Sequence, residues 1–136
     1  MFNMKKGFKQ NIEQATLENT NFRKVLYTSA HNQLVLMSLQ PKEEIGSEIH
    51  PDNDQFFRFE SGNGQVVINE TIYDISGGDA VIVPAGSKHN VINTSSDNEL
   101  KLYTIYSPAH HQDGVVRATK AEAEADGPEF DGATTE

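Results

Sequence analysis

The sequence predicts an all-β protein, a single barrel or sandwich of short strands. Three observations carry this. About eight short runs of strand-forming residues follow one another from Phe22 to Tyr106, separated by turn residues. Almost no helical period interrupts them. The connections also have turn chemistry of their own: Asn69-Glu70 sits between two strand-like runs, and Pro84-Ala85-Gly86 between two apolar ones.

In order, residues 1–21 are polar and weakly patterned, an N-terminal arm in which Leu17 and Phe22 are candidate anchors for a short helix. Arg23–Ser29 is the first candidate strand, and Ala30-His31-Asn32 turns the chain. Gln33–Leu39 is strongly apolar and should be buried. Pro41–Gly46 is a loop. Glu48–His50 is extended and Pro51-Asp52-Asn53-Asp54 is a turn, followed by the strand Gln55–Phe59. By the period-2 rule Phe57 and Phe59 share the face of Gln55 and point inward. Phe56 and Arg58 fall on the other face, where Arg58 is expected to pair with Glu60. Gln65–Ile68 and Thr71–Ile75 form a hairpin around Asn69-Glu70. In GDAVIVPAGSKHNVIN (Gly78–Asn93) Pro84 fixes φ near −65° and Gly86 tolerates positive φ, making a tight turn between two strands. His89, Val91 and Asn93 then share one face, with Asn93 expected to satisfy turn backbone. The last core strand begins at Asn98 or Glu99, carries LKLYTIY and ends at Pro108, and Tyr103 or Tyr106 faces the interior depending on register.

Glu48 and His50 lie two apart on one face, so Glu48, His50, Gln55 and His89 converge if their strands are neighbours. This pattern resembles the cupin superfamily. The second cupin motif, G-x5-P-x-G-x2-H-x3-N, matches at Gly78, Pro84, Gly86, His89 and Asn93. The first, G-x5-H-x-H-x3–4-E-x6-G, matches in part: His50 takes the second histidine and Gly62 the closing glycine. Glu48 stands for the first histidine, Gln55 for the glutamate and Lys42 for the opening glycine. The resemblance implies a jelly-roll barrel over residues 22–108. It also implies one divalent metal ion held by Glu48, His50, Gln55 and His89. The family's usual donors are three histidines and one glutamate. The set here keeps their formal charge and donor count with two types changed. Two imidazoles and a carboxylate suit Fe, Mn, Ni or Zn equally.

Other readings stand beside these. The plainer alternative makes His89 and His50 hydrogen-bonded barrel residues, Glu48 a surface carboxylate and Gln55 a structural amide. No catalytic residue is assigned. Small cupins include dioxygenases, isomerases and epimerases, so the resemblance implies a metal-dependent enzyme on a small oxygenated metabolite or sugar. A metal- or ligand-sensing barrel and a barrel with a decayed site are the alternatives. A homodimer paired through sheet edges is also expected from the resemblance.

Beyond Pro108, residues 109–136 form an extension. His110-His111-Gln112-Asp113 reads as a solvated loop whose adjacent histidines point in opposite directions, with folding over the barrel mouth as the bolder reading. Ala118–Ala125 has helix-forming composition with Thr119 as its cap and Glu122 three residues on. The end reads as a ragged acidic tail.

Composition narrows the function further. The 136 residues suffice for one domain with its own core. The net charge is −9, and residues 121–136 hold six acidic side chains and no basic one. No basic stripe is available for nucleic acid. With no cysteine, disulfide and thiolate chemistry are excluded. No apolar run approaches the roughly 20 residues that span a bilayer. MFNMKKGFKQN lacks the apolar core of a signal peptide, so a cytoplasmic location is expected.

Overall fold

The computed structural model describes residues 4–136. In chain order the elements are α1 (Ile12–Glu18), β1 (Arg23–Thr28), β2 (Gln33–Leu39), β3 (Glu48–Ile49), β4 (Asp54–Ser61), β5 (Asn63–Ile68) and β6 (Thr71–Ser76). β7 (Ala80–Val83), β8 (Lys88–Asn93), β9 (Leu100–Ser107), β10 (Val116–Arg117) and α2 (Lys120–Ala125) follow. The strands form two antiparallel sheets, ordered β10-β1-β2-β9-β4-β7 and β3-β8-β5-β6. This is the all-β jelly roll the sequence predicts. The short strand β10, which pairs with β1, was not anticipated.

The period-2 pattern sets the core. Val35, Met37, Leu39, Phe57, Phe59, Val66, Val83, Val91, Leu100 and Leu102 are buried between the sheets. Arg58 points outward and pairs with Glu60 at 3.1 Å. The turn at Asn69-Glu70 joins Ile68 to Thr71 as a direct pair, with Asn69 at φ 53°. Gly64 is required by close approach, since a Cβ there would lie 2.4 Å from the Ile92 carbonyl oxygen. The free edges β6 and β7 leave Ile72, Tyr73 and Ile82 exposed.

Two terminal expectations need correction. Leu17 does not anchor α1, for it is 42% exposed. Ala15 and Thr16 are buried instead, and the Asn11 side chain caps the helix by accepting from the Gln14 N–H. Nor is the acidic tail ragged. Its backbone continues the hydrogen-bonding of the barrel: Gln112 N–H donates to Pro128 O, Phe130 N–H to His110 O, and Thr135 N–H to Thr28 O. Several of its acidic side chains are also engaged: Glu136 accepts from the Lys6 and Gly7 N–H groups, and Asp126 pairs with Arg117 at 3.0 Å. As expected, the Thr119 hydroxyl accepts from the Glu122 N–H. Among the described residues no helix is long and apolar enough to cross a membrane.

Candidate metal centre

β3 is only two residues long, yet its position is fixed. Glu48 is the direct register partner of His89 on β8. His50 follows immediately, and its carbonyl accepts from Gly86 N–H at 2.9 Å, tying it to the Pro84-Ala85-Gly86 turn. These constraints bring one ligand atom each from Glu48, His50 and His89 within 4.8 Å of one another. The His50 and His89 rings lie 5.2 Å apart. His50 Nε2 is 3.0 Å from Glu48 Oε2; the carboxylate only accepts, so the imidazole donates there. His89 Nδ1 lies 3.0 Å from Ser87 O and must donate to it. That fixes the tautomer and leaves Nε2 with a free lone pair, the arrangement a metal-binding histidine needs.

Burial alone would raise the Glu48 pKa. The hydrogen bond and charge of His50, with His89 and Arg23 behind it, outweigh burial and hold the carboxyl below its usual range. Burial lowers His89, which keeps it a neutral donor.

Gln55 enters from β4, in the opposite sheet. It is 2% exposed, and its Nε2 donates to Thr104 Oγ1 at 3.0 Å. Its carbonyl Oε1 is buried and has no partner. A buried acceptor left without a donor is the kind of group a cation would satisfy. Two imidazoles, a carboxylate and this orphan oxygen fit a divalent ion of the Fe-to-Zn series.

The 109–114 segment is not the solvated loop of the plainer reading, and its histidines do not point apart; it follows the bolder one. His110 and His111 both turn inward, with ring centroids 4.8 Å apart. Gln33 causes this: its Oε1 accepts from both histidine N–H groups, at 3.2 and 3.0 Å, and its Nε2 donates to His111 O. The chain is therefore bent rather than extended. The His110 ring stands 4.2 Å from that of His50. His111 is 7% exposed and its Nε2 lies 3.2 Å from the Tyr106 hydroxyl. Burial, reinforced by the Arg23 charge, pushes the His111 pKa down to about 2. Burial and the charge of Glu48 hold the Tyr106 phenol well above its usual range, so it stays protonated. Beside these residues lies a cavity of roughly 320 Å³. It runs between Phe22-Arg23 and the Ile45–Glu48 segment, under α2 and the two histidines.

A family model described as a cupin domain matches residues 35–106, more than half of the chain. The chain is a cupin. It is 44% identical over 120 residues to uncharacterized protein L612 of Acanthamoeba polyphaga mimivirus, covering 86% of this cupin and 75% of that protein. It is 47% identical over 129 residues to uncharacterized protein YrkC of Bacillus subtilis, covering 88% and 67%. The crystal structure of BH2720 from Bacillus halodurans is similar at TM-score 0.85 and 44% identity, with 88% of this cupin and 94% of that chain covered.

Of the residues the sequence singled out, the cupin brings Glu48, His50 and His89 into one cluster, and Gln55 is buried in the facing sheet. Asn93 is wholly buried and bonds backbone carbonyls, as expected. Tyr106 is the tyrosine that faces the site; Tyr103 lies near Phe56 on the other face. Sequence reasoning gave no role to Arg23 or Gln33. One signal was available for each: both sit on the inward phase of apolar strands, Arg23 with Val25 and Gln33 with Val35.

Proposed function

We propose that this cupin binds one divalent transition ion through Glu48, His50 and His89, with Gln55 Oε1 as a fourth donor. We further propose that it acts as a metal-dependent enzyme of oxygenase or isomerase type on a small oxygenated metabolite. The observation that carries the reading is the convergence of the three ligand atoms within 4.8 Å. Such an ion, when bound, supplies Lewis acidity or redox chemistry to oxygens brought to it. The chain's own residues do the rest. Ser87 O fixes the His89 tautomer, Thr104 aims the Gln55 amide, and the protonated Tyr106 and neutral His111 form a buried hydrogen-bonded pair beside His50.

Metal analysis of untagged protein tests the reading. About one equivalent of Fe, Mn, Ni or Zn is expected in the wild type, falling below about one tenth in His50→Ala and His89→Ala, with Glu48→Ala weakened at least tenfold. Full metal content in all three variants rules the site out. Oxygen uptake by the Fe-loaded protein separates an oxygenase from a barrel that only holds the ion.

A further inference from the structure

We infer that the molecule taken at this centre is a small monocarboxylate whose carboxylate is anchored by Arg23. The inference deepens the reading above and rests on it for the reacting end of the ligand. It stands on a different residue and a different observation.

Arg23 opens β1 on the inward phase and is only 9% exposed. Among the described residues its guanidinium has no ion pair or hydrogen bond, and Nε is buried without a partner. A buried charge left unpaired destabilises a protein and persists where something else requires it. The guanidinium carbon lies 5.5 Å from the Phe22 ring centroid, and Nη1 is 4.0 Å from where a Gly127 Cβ would be. Phe22 and Gly127 both line the roughly 320 Å³ cavity, as do Arg23 itself and Glu48 of the metal centre. The cation and the candidate centre thus share one space. That volume is at the low end of small-molecule sites.

The surrounding charges choose the anion. The other charged groups of the lining are Lys120, Glu124, Glu129 and Glu48. Lys120 Nζ lies 3.8 Å from Glu124 Oε1, so these two offset one another. Arg23 is left facing Glu48 and Glu129. A divalent ion at the centre then leaves the cavity with a single net positive charge. A monoanion matches this, and a doubly charged phosphate does not. The planar guanidinium fork fits a carboxylate through two parallel hydrogen bonds.

The test is thermal unfolding of Zn-loaded and EDTA-stripped protein with sodium propionate, propionamide or inorganic phosphate, each against sodium chloride of equal ionic strength. Propionate is expected to raise the Tm by about 3–6 °C at ten times its dissociation constant. The shift should be larger in the Zn-loaded form and present in the stripped one, while propionamide and phosphate give less than a third of it. Arg23→Met should keep its metal, unfold at the wild-type temperature or above, and bind propionate about 30-fold or more weakly. Arg23→Lys, which keeps the charge without the fork, should bind about tenfold more weakly. The assignment is overturned by no propionate shift in either form, by an equal shift with the amide or phosphate, or by Arg23→Met or Arg23→Lys binding as the wild type does. A fall in Tm for both variants without ligand would make Arg23 a structural ion and overturns it as well. Loss of metal binding with the propionate shift intact in stripped protein would instead defeat the metal reading alone.

Discussion

The two ends of the barrel are built from the same strands and differ in what those strands turn inward. At one end the inward positions are Gln33, Gln55, His89 and Tyr106; at the other they are Leu39, Phe59, Asn93 and Leu100. The contrast is clearest in two buried amides. Asn93 Nδ2 donates to three backbone carbonyls, of Leu39, Gln40 and Asn98, and its oxygen accepts from Ser95 N–H. Gln55 leaves its oxygen unpaired, as Arg23 leaves its Nε. Buried polar groups in folded proteins are nearly always satisfied. The Asn93 amide is therefore complete within the chain, whereas Gln55 and Arg23 are complete only with something added; near the apolar end one hydroxyl, Ser38 Oγ, is also buried without a partner.

The contrast can be attacked from both sides. The largest effect is expected at the apolar end. Phe59→Ala, at a fully buried position, should cost about 3–5 kcal/mol in chemical unfolding and leave metal stoichiometry unchanged. Metal loss in that variant would mean the two ends are not separable. Next comes acidification. His111 is held neutral in the fold at a pKa of about 2, against 6.5 when unfolded. Its contribution is intact above pH 6.5 and declines as pH falls toward 2, because the unfolded chain gains a proton that the native one refuses. From this one group the unfolding free energy should fall by up to about 1.4 kcal/mol per pH unit below 6.5. His111→Gln should flatten that slope; an unchanged slope would place the titration elsewhere. The smallest effect is Gln55→Leu. It removes an orphan oxygen but also takes a partner from Thr104, so its net effect on stability should lie within about 1 kcal/mol. A loss comparable to that of Phe59→Ala would erase the distinction between the ends.

The barrel was legible where the signal is local. Alternation placed Phe57 and Phe59 inside and Arg58 outside, and turn chemistry located the Asn69-Glu70 and Pro84-Gly86 reversals. The cluster of Glu48, His50 and His89 was legible too, through spacing within segments and the motif that joins them. What escaped depends on partners far away in sequence. His110 and His111 turn inward because Gln33, 77 and 78 residues earlier, binds their backbone. The tail is ordered because Thr28, 107 residues before Thr135, accepts it into the barrel's bonding pattern. Arg23 was visible on an inward phase, but composition treats a lone arginine at a strand start as solvated.

β3 has one further consequence. It is held to its neighbour by a ladder of only two residue pairs, Glu48 with His89 and Ile49 with Lys88. A cation gripped by the first of those pairs would rivet the two backbones together across the strand gap. The least secured segment of its sheet would then become the one most firmly fastened, and loading the ion would tighten the very register that builds its own cradle.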